Sequence, residues 1–269
     1  VRVMAPQRIN KSIVPFVFVP LFLLLVVFPL LALVFNLDVE GMTATLTDQV
    51  FWIAVRNTLW TAFLASLLGL IVAIGFGYYH LYSQQSPIYK VANLLNDLPI
   101  ALPHTVAGLA LLLAFGRSNF GFLGNTGLAF TLFAVVLGMF FVSYSLCART
   151  IASGVDQTER EVVDVARTLG DTPTQAYFKI VLPSIGEAVF SGFVLAFSRS
   201  LSEFAAVIMF GGNLPGRTQV LASYVFTKVE EGELEMAVTA AVFCILLSVM
   251  LVAALSWGRS HYAHSRVAA

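Results

Sequence analysis

Two ionisable side chains, Arg199 and Glu203, lie inside a long apolar run in the C-terminal third of the chain. Their spacing of four residues places them on one face of a helix. A charge at mid-bilayer costs from about 2.5 to more than 10 kcal/mol, so each side chain needs a partner or water. Either the two form an ion pair that fixes packing, or Arg199 offers positive potential along the path of an anion. The ion pair accounts for both residues without a further assumption.

Other chemistry finds little support in the sequence. Cys147 and Cys244 lie in apolar runs and predict buried thiols, because no partner stands at disulfide or metal spacing. No phosphate-cradling Gly-x-x-x-x-Gly-Lys-Ser/Thr loop exists. The chain is therefore not expected to hydrolyse ATP through such a loop or to bind a cofactor or metal. The four histidines form no metal-binding pattern and are assigned no chemistry: His80, His104, His261 and His264.

The composition describes a protein in contact with lipid. Hydrophobic residues make up 58% of the chain and charged residues 11%, and 23 residues are Phe. A soluble domain carries roughly 25% charged residues, so this composition argues against a water-facing fold. The formal net charge is zero, which gives no general attraction to nucleic acid.

Six apolar runs are long enough to predict membrane helices, which need about 20 residues each. They are Ile13–Phe35, Asn57–Tyr79, Ile100–Phe115, Gly127–Cys147, Ala188–Phe210 and Met236–Trp257. The first run is too long for the core of a signal peptide, so we interpret it as a retained helix. The predicted fold is all-α: residues 1–269 form one polytopic membrane domain with six transmembrane helices.

The distribution of Lys and Arg predicts that both termini are cytoplasmic. Six spans put ten of these residues in inner segments and four in outer segments, with Arg199 inside a helix. The inner ones are Arg2, Arg8, Lys11, Lys90, Arg149, Arg160, Arg167, Lys179, Arg259 and Arg266.

The loop between the fourth and fifth runs is long, with about 40 residues from Ala148 to Glu187. Within it, Glu161 to Leu169 predicts a short amphipathic helix whose apolar face holds Val162, Val165, Ala166 and Leu169. Gly170 suits the left-handed residue that ends a helix. Asp171-Thr172-Pro173 predicts the start of a second helix, which Pro183 should stop. Such a pair either lies on lipid headgroups or inserts into a groove on a cytoplasmic partner.

This loop resembles the EAA loop of ABC importer permeases. The pattern of that family is Glu-Ala-Ala, three residues, Gly, nine residues, then Ile-x-Leu-Pro. Here Asp164-Val165-Ala166 stands before Gly170, and Ile180-Val181-Leu182-Pro183 follows with the same spacing. Asp164 and Val165 depart from the pattern and keep its character. The resemblance assigns an ATPase-coupling role, within a loop of about 156–183, to Asp164, Ala166, Arg167, Leu169, Gly170, Asp171, Ile180, Leu182 and Pro183.

The resemblance also implies a transport mechanism and a set of partners. Two copies of an ABC ATPase, using ATP and magnesium, would dock on the loop and switch the bundle between inward-facing and outward-facing states. An extracytoplasmic oxyanion-binding protein would deliver the substrate. A second permease copy, most simply in a homodimer, would complete the pathway in a prokaryotic cell membrane, in contact with lipid and without nucleic acid.

Two further stretches indicate the substrate class. Leu98 to Gly108 resembles the segment before the third helix of molybdate permeases, and Phe197 to Thr218 is similar to their fifth-helix region and outer loop. Sulfate permeases share much of both, so molybdate or tungstate is predicted with sulfate or thiosulfate as the alternative. Arg199, Glu203, Asn213 and Thr218 are candidates for the translocation path. A bend at Gly211-Gly212 and Pro215-Gly216 also explains much of the composition near Asn213 and Thr218.

Three other functions stay open as alternatives. A permease for another nutrient would differ in its binding protein. An intramembrane enzyme would need paired catalytic residues at membrane depth, such as Ser with His or two Asp, and Arg199 with Glu203 is not such a pair. An ion channel would not need a cytoplasmic two-helix loop.

Overall fold

A computed structural model describes residues 13–117, 123 and 126–267, with side chains over 18–117, 123, 126–251 and 253. All regular elements in these ranges are helices, as the sequence predicted. They are numbered along the chain as α1 (residues 13–35, with a π-helical turn at Leu23–Val27), α2 (Val39–Thr47), α3 (Gln49–Ser83), α4 (Pro87–Ala101), α5 (His104–Phe115), α6 (Leu132–Asp156), α7 (Arg160–Thr168), α8 (Pro173–Ser184, with a π-helical turn at Tyr177–Val181), α9 (Gly186–Leu201), α10 (the π-helical turn Val207–Gly211), α11 (Leu221–Glu230) and α12 (Leu234–Val267).

Among the described residues, four helices are long and apolar enough to cross a membrane: α1, α3, α6 and α12. Two bent pairs meet the same criteria, α4 with α5 at 117° and α8 with α9 at 76°. If each pair crosses once, the number of spans rises to six. The all-helical membrane fold is therefore confirmed, and the six predicted spans are reached when each bent pair counts as one span.

The predicted bounds of the third span were wrong. Ile100 belongs to α4, which ends at Ala101, and α5 begins only at His104. Leu102 has an extended backbone with ψ 138°, because the ring of Pro103 disfavours the helical conformation in the residue before it. With 12 residues, α5 is about 18 Å long and cannot cross the bilayer alone.

The fourth and fifth predicted spans also differ from the structure. The fourth was placed at Gly127–Cys147, whereas α6 runs from Leu132 to Asp156. The fifth was placed at Ala188–Phe210 as one helix, whereas α9 ends at Leu201 and a separate turn, α10, follows. The carboxylate of Glu203 accepts a hydrogen bond from the N–H of Ala206 at 2.9 Å, which starts a new helical turn and interrupts the old one.

The centre of the bundle is formed by α3, α6 and α9. Small side chains let these helices approach closely, as is usual inside membranes. Fully buried examples are Ala62, Ala65, Ala73, Ala148 and Ala196. By contrast, the apolar window Phe18–Phe35 of α1 buries none of its side chains, and α3 exposes large ones such as Trp60 and Ile71. This apolar outer surface fits contact with lipid.

Gly154 lies at a close approach of α6 to α9. A Cβ atom at this position would lie 2.6 Å from the Cβ of Ala188, whereas one at Gly75, on exposed α3 surface, would meet no atom within 4 Å. Gly154→Ala is therefore expected to lower the free energy of unfolding by about 1–3 kcal/mol through overpacking. Gly75→Ala is expected to leave it unchanged or raise it by up to about 1 kcal/mol. Thermal unfolding in detergent measures both, and equal shifts would contradict the packing described here.

The longest helix in the described part of the chain is α3, whose 35 residues extend about 52 Å. At one end, Tyr82 donates a hydrogen bond to the carbonyl of Pro173, and Tyr177 donates one to the carbonyl of Ile74. At the other end, the amide of Asn57 donates to the carbonyls of Arg217 and Gln219. This helix thus joins α8 to the loop before α11, and the end near that loop is called the far end below.

Candidate functional site

The first candidate site is the two-helix segment, residues 160–184, formed by α7 and α8. The backbone of Gly170 has φ +101°, and the N–H groups of Gly170 and Asp171 bond the carbonyls of Arg167 and Ala166. These two bonds form the Schellman motif that ends a helix through a left-handed glycine. The predicted bend at Gly170 is therefore present.

The start of α8 is fixed by a capping box. The side chain of Thr172 accepts from the N–H of Gln175, and the side chain of Gln175 accepts from the N–H of Thr172. Pro173 occupies the first turn, where its missing N–H is not needed. Asp171 is ion-paired with Lys179 at 2.7 Å, which ties the bend to the second turn of α8. The two helices are thus joined by a defined geometry.

The helix α8 stops one residue later than predicted, because it continues past Pro183 to Ser184. A π-helical turn at Tyr177–Val181 precedes the proline, and the N–H of Leu182 bonds the carbonyl of Tyr177 five residues back. In this wider turn the hydrogen bonds join residues five positions apart instead of four. The change comes just before Pro183, where an ordinary α-helix would be broken. The helix ends instead at Ile185, with φ −94° and ψ 20°.

The predicted apolar face of α7 is largely not the buried one. Val163 and Ala166 pack into the bundle beside Tyr177, whereas Val162, Val165 and Leu169 are exposed. Leu169 is the most exposed of them at 83%. Phe178 on α8 is also exposed. The segment therefore presents an apolar surface, Val162, Val165, Leu169 and Phe178, which we call the apolar knob.

The remaining residues of the EAA-like pattern surround this knob. Asp164, Arg167 and Pro183 are exposed, and Ile180 and Leu182 are half-buried. A cavity of about 850 Å³ lies next to the segment, between the ends of α6 and α9, and Val162 and Ile180 help to line it. The arrangement can accept a groove or a protruding element of another protein.

A polar network anchors the first turn of α7. The ring of His80 is hydrogen-bonded to the hydroxyl of Tyr89 and lies 2.8 Å from a carboxylate oxygen of Asp156. Gln84 donates to the same carboxylate and accepts from Arg160. Sequence reasoning assigned His80 no chemistry. Its position at the end of an apolar run was the available signal, but its partners come from other helices.

The second candidate site surrounds Glu203, whose side chain is 1% exposed. Its Oε2 atom lies 3.4 Å from Nη2 of Arg199 and 3.1 Å from Nδ1 of His104. Arg199 also donates to the hydroxyl of Ser202 at 3.1 Å and lies 2.8 Å from the His104 ring nitrogens. The ion pair considered from the sequence is present, and His104 joins it. We call Arg199, Glu203 and His104 together the Arg199 cluster.

His104 was missed because its contact with Arg199 joins residues 95 positions apart. An ionisable group next to Pro103 in an apolar stretch was the only signal in the sequence. Asn213 and Thr218 do not join this cluster by any contact found among the described residues. Thr218 is buried and bonds the backbone of Gly211 and Leu214, and Asn213 bonds Thr227, so both stabilise the loop before α11.

The far end carries acidic side chains from α11 and the following turn. Lys228 forms ion pairs with Glu231 at 2.9 Å and Glu233 at 2.6 Å. Burial acts to lower the pKa of Lys228, but hydrogen bonds to these two carboxylates together raise it above its usual value. The lysine therefore stays charged, and part of the local acidity is neutralised.

Comparison with known proteins decides the family. Residues 65–259 match the family described as binding-protein-dependent transport system inner membrane component. The chain belongs to this family. It is the permease subunit of an ABC importer and a multi-pass inner-membrane protein.

Named relatives of the permease extend over most of both chains. The sulfate transport system permease protein CysT of Salmonella typhimurium is 31% identical over 250 residues, covering 89% of this chain and 88% of the relative. CysT of Escherichia coli is 30% identical over 258 residues, with the same coverages of 89% and 88%. The probable transport system permease protein NifC of Clostridium pasteurianum is 29% identical over 236 residues, covering 86% and 82%.

Solved structures share the fold of the permease at low sequence identity. A bacterial ABC transporter involved in the import of the acidic polysaccharide alginate matches with a TM-score of 0.75 at 15% identity, over 91% of this chain and 92% of that one. The MetNI methionine ABC transporter, in an inward-facing conformation, matches with a TM-score of 0.61 at 16% identity, over 81% and 98%.

Proposed function

We propose that this permease carries a tetrahedral oxyanion into the cell, with molybdate or tungstate as the first candidate, and that an ATPase docks on its two-helix segment. Two ATPase copies supply the energy from ATP and magnesium. An external binding protein delivers the anion, and two permease copies form the pathway between them. The segment and both termini face the cytoplasm in this arrangement.

The observation that carries the docking role is the apolar knob on a segment with a defined shape. A Schellman motif, a capping box and the pair Lys179–Asp171 hold this segment, so its exposure does not result from a loose loop. Leu169 is 83% exposed, and covering such a side chain gains about 1.5–3 kcal/mol. Burial of Leu169 in a groove on a partner protein would stabilise the complex by this amount. Closure of the partner would then move the docked segment, and α3 would move with it.

The substrate class rests on the sequence resemblance and on the named relatives. Those at 30% and 31% identity are called sulfate permeases, and sulfate and molybdate are both tetrahedral dianions. This favours an oxyanion as the class and makes sulfate the second candidate. Equilibrium binding of molybdate, tungstate and sulfate to the cognate binding protein ranks them. Preference for sulfate overturns molybdate and tungstate, and binding of none of the three overturns the class.

Substitution of Gly170 tests the docking role. A Cβ atom at Gly170 would meet no atom within 4 Å, so Gly170→Val acts only through the left-handed backbone, where a β-branched residue costs about 1–3 kcal/mol. The bend is expected to change shape, and recovery of the ATPase on co-purification is expected to fall about tenfold or more.

Gly232→Val is the matched control for this experiment. Gly232 has φ +80° and equally open space, but it lies at the far end, in the turn before α12. This variant is expected to retain the ATPase. If the unsubstituted permease recruits no ATPase, the docking partner is wrong; if both variants retain it equally, the role of the bend is wrong.

A further inference from the structure

The break between α4 and α5 leaves a helix N-terminus beside the Arg199 cluster. His104 is the first residue of α5, and the residue before it, Pro103, caps the helix with no side-chain hydrogen bond. The first N–H groups of a helix carry partial positive charge and attract anions. A helix terminus alone does not make a site, but here His104 on that terminus lies 2.8 Å from the Arg199 guanidinium.

The charges of this cluster are arranged with their positive side outward. The side chains of Arg199 and His104 are 26% and 31% exposed, whereas that of Glu203 is 1% exposed. Ser202, which accepts a hydrogen bond from Arg199, is also exposed. The hydroxyl of Ser202 donates to the carbonyl of Arg199, so an anion arriving at this surface meets the N–H groups of the guanidinium first, and the carboxylate lies behind them.

The carboxylate does not use up the hydrogen-bonding capacity of these donors. Its Oε2 atom lies at ion-pair distance from both side chains but accepts no well-aligned hydrogen bond among the described residues. Its Oε1 atom is bound by the N–H of Ala206. An arginine has five N–H donors, so the guanidinium can bind a further acceptor while Glu203 offsets its charge.

We propose that Arg199, His104 and the N-terminus of α5 form a subsite for a tetrahedral oxyanion inside the permease, with Ser202 holding the guanidinium and Glu203 as the buried counter-charge. Glu203 lowers the cost of placing Arg199 at membrane depth and keeps the affinity low enough for release. Binding protein and ATPase are not needed for the anion to bind here. This proposal rests on the proposed oxyanion substrate.

The role of Glu203 predicts effects of opposite sign in two variants. His104→Asn removes the ring that lies against the guanidinium of Arg199 and is expected to weaken anion binding about tenfold. Glu203→Gln keeps an oxygen for the Ala206 N–H and removes the negative charge, so it is expected to strengthen anion binding about tenfold. A cluster that only fixes helix packing would change stability in both variants and leave anion binding unaffected.

The experiment measures equilibrium binding of radiolabelled molybdate and sulfate to the permease–ATPase complex in nanodiscs, without binding protein or ATP. Arg56→Gln, which removes an exposed cation of α3 outside the cluster, is the control and is expected to bind as the unsubstituted complex does. If His104→Asn does not assemble, Arg199→Lys replaces it, since lysine keeps the charge but loses the planar group.

The outcomes separate this inference from the proposed function. Opposite shifts in the two variants support the subsite. Equal affinities in all variants, or no anion binding by the unsubstituted complex, overturn it even when vesicles that contain the binding protein take up an oxyanion. Failure of those vesicles to take up molybdate, tungstate or sulfate overturns the proposed substrate class instead.

Discussion

Replacing Leu169 by glutamate is expected to abolish ATP-driven uptake while the permease stays folded. Leu169 is 83% exposed and packs against little of its own chain, so the substitution costs little in stability. In the docked complex the same position loses about 1.5–3 kcal/mol of apolar burial and places a charge in a dry groove. Binding of the ATPase is expected to weaken about 30-fold or more.

Two readouts separate docking from folding in this experiment. The affinity of the ATPase is measured with detergent-solubilised permease, and the melting temperature is measured on the same sample. Val229→Glu adds an equal charge at an exposed valine of α11, at the far end, and is expected to leave ATPase binding unchanged. Normal ATPase affinity in the Leu169 variant would overturn the docking role of the apolar knob and leave the alternative that it lies on lipid headgroups.

Replacing Arg199 by leucine is expected to destabilise the permease by about 3–5 kcal/mol. The substitution leaves the carboxylate of Glu203, which is 1% exposed, without its guanidinium partner at 3.4 Å. Removing one member of a buried pair costs more than the pair contributes, because the other charge stays buried, here with only the His104 ring 3.1 Å away. The midpoint of thermal unfolding is expected to fall clearly.

A second substitution in the same background tests this explanation. Adding Glu203→Gln to Arg199→Leu removes the stranded charge and is expected to recover most of the lost stability. Glu203→Gln alone is expected to cost less than Arg199→Leu, because the side chain of Arg199 is 26% exposed and can turn to water. If the double variant is no more stable than Arg199→Leu, the loss comes from packing and not from the carboxylate.

The parts of the fold that local chemistry determines were predictable. Gly170 combines an apolar helix before it with Asp171-Thr172-Pro173 after it, and a left-handed end followed by a capped start is the expected result. The apolar runs identified the membrane helices because their composition alone decides their environment. Their ends were less predictable where a proline or a side chain interrupts the run, as at Leu102 and Glu203.

Features that depend on distant contacts were not predictable from one sequence. The π-helical turn that lets α8 pass Pro183 carries Tyr177, whose hydroxyl reaches the carbonyl of Ile74 more than 100 positions away. The periodicity of α7 identified an apolar face but not whether the bundle or a partner covers it. His104 joined Arg199 only because the chain bends by 117° between α4 and α5.

The hydrogen bonds at both ends of α3 limit the insertions and deletions that this helix can tolerate. Each residue added to a helix rotates everything beyond it by about 100° and moves it by 1.5 Å. A single insertion between Asn57 and Ile74 would therefore turn the partners of Tyr177 away from it while those of Asn57 stayed in place. A change of about seven residues, close to two full turns, nearly restores the phase, but it moves the two ends of the helix by about 10 Å relative to each other. Length differences among such permeases are expected in the loops and not in this helix.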